Sequence, residues 1–266
     1  MAQEKWLIDG EKIIDIEMVR KIKVGLIGGL VNIVGHDVPG ARVEVHSVRG
    51  TPPTVTIDGD TLEIDQLQLG WDNFIEVFKS FRGSASADIS IMVPRDVELK
   101  FGVVTASGLL SRLTEDSRIS TVSGDVVIDN HSGDLELNAV SGEISVRNHT
   151  GRIVAHTVSG DLTASGAIRS FTSNGVFGNV FLDIHGIPDL VRINTLSVVI
   201  TARLEPGVPV HYKIKTVSGT LQLDDSESRG VRGGYTGTFG ALEKQWLEFR
   251  ANTVSGDVSV LPAVSA

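Results

Sequence analysis

The sequence predicts an all-β chain: a parallel β-solenoid of nine-residue strand–turn units, about 18 residues to the coil. Three observations carry this. Between residues 121 and 164 the units TVSGDVVI, NHSGDLEL, AVSGEISV, NHTGRIVA and TVSGDLTA place Gly124, Gly133, Gly142, Gly151 and Gly160 nine apart. The apolar pairs keep the same clock: Val126 and Ile128, Leu135 and Leu137, Ile144 and Val146, Ile153 and Ala155, Leu162 and Ala164. Residues two apart share one face of a strand. Finally, the residue two before each glycine alternates Val122, His131, Val140, His149, Val158, which doubles the period to 18. Two strands and two corners per coil explain both periods, whereas an antiparallel meander explains only the nine.

Each element then has an assignment. The glycines turn the corners, where φ > 0 is often required, and the preceding Ser or Thr can bond the turn backbone. One corner is expected to tuck a valine inward. The other is expected to show Asn130-His131 and Asn148-His149 to solvent. Gly178, with Val180 and Leu182, resumes the series, and Gly219 and Gly256 mark the late copies KTVSGTLQL and NTVSGDVSV. TASGLLSRL, from Thr105, reads as an early copy. Residues 101–266 are the repeat region, and 1–100 a β-rich opening that caps it, with strands in RKIKVGLI, LVNIVG, ARVEVHS, PTVTIDG and TLEID. The exception is Leu69–Gly83, where Trp71, Phe74, Ile75 and Phe78 fall at helical spacing and predict one short amphipathic helix near 71–81.

Composition bounds the function. The 266 residues are 41% hydrophobic, enough for a sizeable core, and carry a formal charge of −9. An acidic chain without a basic face argues against nucleic acid. With no cysteine, disulfides, thiolate metal sites and cysteine nucleophiles are excluded. The start is charged throughout and lacks the apolar run of a secretory signal, and Val24–Val34 is too short to span a bilayer, so the chain is expected to be cytoplasmic.

Most motifs that suggest chemistry fit a structural role better. A calcium β-roll needs two or three glycines and an aspartate in each turn; here one glycine precedes the acid, and Arg152 is basic. The ladder Asp125, Glu143, Asp161 reads as acids splayed into water. His131 and His149 lack a third metal ligand. Gly25, Gly28 and Gly29 do not form a nucleotide loop, because strand pattern follows them. Asp224-Asp225 reads as a turn rather than as a carboxylate pair cleaving polysaccharide. No catalytic residue, metal or cofactor is expected. The candidate docking residues are Trp71, Phe74, Phe78 and Phe81 on the helix, and Arg229, Arg232 and Tyr235 in the glycine-rich basic loop RGVRGGYTG.

The TVSGD units, the opening VGLIGGLVNIVGHDVPGARVEVHS and the block ADISIMVPRDVELKFGVVTASG resemble the adhesin-labelled bacterial family of β-strand-repeat proteins of unknown function. The likeness runs from about Lys21 to Ser259 and looks nearest to actinobacterial members. It implies a toastrack-like β-solenoid, no known catalysis and a link to envelope-stress signalling. It supplies no binding or catalytic residues. The expected function is a non-enzymatic scaffold or protein-interaction module whose partner is an unidentified protein or the chain itself, with peripheral membrane association a weaker prospect. The alternatives are a self-assembling structural protein and a carbohydrate-active β-helix enzyme.

Overall fold

Val, Ile and Leu at alternate positions give each unit one apolar face, and a short strand is the conformation that buries it. The computed structural model describes residues 4–66, 85–223, 226–228 and 233–263; all regular structure among them is β, with no helix. The helix expected near 71–81 lies outside the described residues. Among the described residues no helix is long and apolar enough to cross a membrane. The chain forms two compact units, Met1–Gly133 and Asp134–Ala266.

The first unit contains β1 (Glu4–Leu7), β2 (Lys12–Ile16), β3 (Lys21–Leu26), β4 (Gly29–His36), β5 (Ala41–Arg49), β6 (Thr54–Asp58), β7 (Thr61–Asp65), β8 (Ser86–Pro94), β9 (Glu98–Val103), β10 (Ser107–Ser111), β11 (Ser117–Thr121) and β12 (Val126–Asp129). They form two ladders. One runs β1–β6–β7–β3–β9–β11, antiparallel in its first two pairings and parallel after them. The other runs β2–β5–β8–β4–β10–β12 with the same change of sense. Ile22, Val24, Leu99 and Ile119 of the first ladder, and Val31, Ile33, Ile89 and Leu110 of the second, are buried. Phe101 fills the space between the ladders. Its ring lies over Gly108 of β10, where a Cβ would come within 2.7 Å of the ring's Cζ.

The second unit contains β13 (Leu135–Ala139), β14 (Ile144–Thr157), β15 (Leu162–Gly175), β16 (Val180–Ile184), β17 (Leu190–Asn194), β18 (Ile200–Leu204), β19 (Val210–Ser218), β20 (Leu221–Leu223), β21 (Ser226–Ser228), β22 (Gly233–Phe239), β23 (Leu247–Ser255) and β24 (Val258–Pro262). Leu135 faces Ile153, Ile144 faces Leu162 and Leu162 faces Val180, so parallel neighbours are 18 residues apart, the longer period of the sequence. One ladder continues β15–β17–β23–β19 and ends on antiparallel β22. The other continues β15–β16–β18–β24–β20 and ends on antiparallel β21.

Space and sequence part company here. The strand pair β23–β24 inserts between β17–β18 and β19–β20, so Asn194 pairs with Asn252 rather than with the next repeat along the chain. In the first unit β3–β4 is likewise flanked by β7–β8 and β9–β10.

The corners differ from expectation in three ways. Gly151 does not end a strand: β14 runs through it from Ile144 to Thr157, with a register shift at Gly151/Arg152. The glycines also have two separate reasons to be glycine. Gly133 and Gly178 have φ of +105° and +109°, where other residues are strained. Gly124 and Gly160 have no positive φ; a Cβ there would sit 1.8 Å from Ala106 O and 2.1 Å from Gly142 O, so the backbone of the neighbouring corner excludes a side chain. Finally, the histidine corner is turned inside out. Asn130 and Asn148 are exposed at φ of 54° and 51°, a region Asn tolerates, and this directs the following histidine inward. His131 is 2% exposed, with Nε2 2.9 Å from Ser117 Oγ, and His149 is fully buried.

Candidate functional site

Of the expected docking residues, Trp71, Phe74, Phe78, Phe81, Arg229 and Arg232 lie outside the described residues, as do Asp224 and Asp225. Tyr235 is described and does not sit on a loop. It lies on β22, half-buried, its ring 6.5 Å from that of Tyr212, which in turn meets Phe249 edge-on at 6.0 Å. Tyr235 therefore extends an aromatic line at the end of the core.

The candidates read as structural are placed as follows. Gly28 and Gly29 pack backbone to backbone on Ala85–Ala87, where a Cβ on Gly29 would meet Ala87 O at 2.1 Å. The acids after the corner glycines do more than point into water: Asp161 Oδ1 accepts the Asn179 amide at 2.6 Å, and Asp257 Oδ1 accepts the Thr220 amide at 2.8 Å. Each ties its own corner to the neighbouring one, 18 and 37 residues away along the chain, through a hydrogen bond from a backbone N–H to a carboxylate. Among the described residues no group of three or more histidine, aspartate or glutamate side chains is placed to hold a metal ion.

The prominent surface feature is a row of aliphatic side chains along one corner of the second unit. Val158, Val176, Leu196, Val254 and Val217 lie two before a corner glycine or its equivalent and are exposed, Val217 most at 63%, whereas Val140, two before Gly142, is half-buried. Backbone bonds link successive members: Ser197 N donates to Val176 O at 3.0 Å and Val254 N to Leu196 O at 3.1 Å. The inward valine expected at this corner is therefore found at Val122 of the first unit, 5% exposed, and not here. Phe177, 50% exposed, widens the row.

Two columns run beside it. Asn174, Asn194 and Asn252 form an amide ladder, with Asn194 Nδ2 donating to Asn174 Oδ1 at 2.9 Å and Asn252 Nδ2 to Asn194 Oδ1 at 2.7 Å. Shallow depressions lie on this corner, one lined by Asn174, Val176, Asn194 and Leu196, another by Lys215, Val217, Gly233 and Gly234. The second column is basic. Arg192, Arg250 and Lys213 are in register on adjacent strands, with Lys215 beside them opposite Asn252. Glu248 serves two of these cations, bonding Arg250 Nη2 and, at 3.2 Å, Lys213 Nζ. The Arg250 hydrogen bond holds its carboxyl below the ordinary glutamate range, Lys213 adds to this, and partial burial opposes it.

Sequence reading missed both columns. The amide ladder had a signal, an Asn four residues before the corner at 174, 194 and 252. The basic column had none, since its members come together only through the inserted β23.

No family model matches the chain, and no curated protein matches it by sequence. Solved structures do. A protein from Parabacteroides distasonis named for lipid binding shares 13% identity over 97% of this chain and 99% of its own, with a TM-score of 0.51. A Clostridium sporogenes protein named for cell adhesion aligns over 98% and 99% of the two chains at 12% identity and a TM-score of 0.28. A Bacteroides fragilis protein named as an adhesin aligns over 96% and 99% at 12% identity and a TM-score of 0.37. At such identities a likeness speaks to fold alone.

Proposed function

We propose that the chain is a β-solenoid whose task is to hold an interaction surface for a protein partner, without chemistry of its own. The observation that carries this is the apolar row at 158, 176, 196, 254 and 217: five aliphatic side chains exposed in line along one corner, beside strands whose inner faces are closely packed. Aligned exposed apolar groups cost solubility and are kept where something covers them. A stacked-strand body suits this role, since each coil fixes the next and presents its corner side chains at about the 4.8 Å strand spacing. The 18-residue registers support the solenoid reading, and the resemblance to the adhesin-labelled family supports both the absence of catalysis and a tie to envelope-stress signalling.

The test replaces Val158, Leu196 and Val254 together with serine. The variant should melt with the parent and lose the proteins that the parent captures from native cells. Capture of the same proteins by parent and variant would overturn the assignment of the row.

A further inference from the structure

We propose that the outer edge of β22 accepts one extended peptide of alternating apolar and acidic residues as an added strand. The inference deepens the scaffold reading and rests on it.

The edge is open. Among the described residues β22 is bonded only to β19, antiparallel, from Val210↔Phe239 to Thr216↔Gly233, and its other side has no strand. Proteins usually guard such edges with charge or proline. In the first unit β1 carries Glu4 and Lys5, and β2 carries Lys12 and Asp15. The sequence of β22, GGYTGTF, has neither charge nor proline, and its residues are exposed apart from half-buried Tyr235 and Gly237. Unpaired N–H and C=O groups on an unguarded edge are the recognition element for strand addition.

The side chains specify the occupant. On the outer face β22 offers Gly234, Thr236 and Thr238, in register with Lys215, Lys213 and His211 of β19. Next to these lie Asn252, Arg250 and Glu248 of β23, then Asn194 and Arg192 of β17. Four cations (Arg192, Arg250, Lys213, Lys215) thus face one carboxylate, on a chain whose net charge is −9. Lys215 and Arg192 have no carboxylate partner among the described residues. An added strand would lie two strand spacings, about 10 Å, from β19; Lys215 can reach it over the bare Gly234, and Lys213 can do so over the short Thr236 by leaving Glu248. Its outward residues are therefore selected for negative charge. Its inward residues would meet Tyr235, Gly237 and Phe239, the last 40% exposed, and are selected to be apolar.

The test uses a labelled, end-blocked octapeptide of alternating Val and Glu, its Val–Lys counterpart, and heparin as a polyanion without a strand backbone. The Val–Glu peptide should bind at least tenfold tighter than Val–Lys, and less tightly as salt rises. Lys213→Glu/Lys215→Glu should reverse that preference, with a melting temperature slightly below the parent because the Lys213–Glu248 pair is lost. The single variant Lys215→Glu, at an exposed position, should weaken Val–Glu binding and melt with the parent. Consecutive residues of an antiparallel strand point their N–H groups to opposite edges, so one of Thr236→Pro and Gly237→Pro should melt like the parent. That variant should lose peptide binding.

Equal binding of the two peptides, binding that survives the tolerated proline, or heparin binding without peptide binding would each overturn the proposal. So would a homodimer through β22 that shuts the peptide out. The Val158, Leu196 and Val254 triple variant should still take the peptide. If the peptide fails while the row keeps its partner, the edge inference alone falls.

Discussion

The pentapeptide Thr-Val-Ser-Gly-Asp occurs at 121–125 in the first unit, and at 157–161 and 253–257 in the second; the first two copies make the comparison. Its valine is 5% exposed at the first and 48% at the second. The backbone does the same thing in both: Ser123 N reaches Val104 O and Ser159 N reaches Val140 O, each at 2.8 Å. Both glycines also lie against a carbonyl of the adjacent coil. The local sequence thus sets the turn, and packing outside the turn sets what the turn exposes. In the first unit Ile27, Val104 and Val122 are all buried at this corner, whereas in the second the equivalent row stays open.

If only the corners differ, the walls of the two units should respond alike. The largest effects are expected there. Ile119→Asp and Ile144→Asp each bury an unpaired charge at a fully buried position and should cost several kcal/mol, read as collapse of the thermal transition. Ser145, on the outer face next to Ile144, should accept Ala within about 0.5 kcal/mol. A parent-like melt for Ile144→Asp would mean that the strand faces are assigned backwards.

The intermediate effect separates the corners. Val122→Ser should cost about 2 kcal/mol through lost burial, and Val158→Ser within about 0.5 kcal/mol. Equal costs in chemical denaturation would erase the contrast between the two pentapeptides.

The smallest effect belongs to Glu248, on the outer face of the second unit. A carboxyl held low stabilises the fold above its unfolded value, about 4.3, and that contribution disappears as pH falls through the lowered value. Glu248→Gln should therefore melt slightly below the parent at neutral pH and converge with it in acid. A gap that persists below the glutamate range would point to lost packing rather than charge.

Much of this fold is written in the sequence because a repeat states its rule many times. The 18-residue register, and the inward pairs from Val126 and Ile128 to Leu162 and Ala164, follow from spacing alone. The order of the coils does not. Asn252 carries nothing local to say that it belongs between Asn194 and Lys215, since NTVSG and KTVSG satisfy a neighbouring coil equally well. The histidine corner misled for a related reason: polarity suggested solvent, but the left-handed turn at Asn130 and Asn148 decided which way the next side chain pointed. The surface columns were hidden because they join residues 20 to 58 apart.

The insertion of β23–β24 bears on how the protein is made. A ribosome releases β17–β18 and then β19–β20 well before the pair that will lie between them. Until β23 and β24 emerge, the chain holds two strand pairs that are not each other's final neighbours and could wrongly zip together, since their patterns match. Arrival of the missing pair must either find the gap still open or pry it apart. The second unit is thus completed out of order, and a message cut short after β22 would yield a stack lacking a middle rung rather than an end.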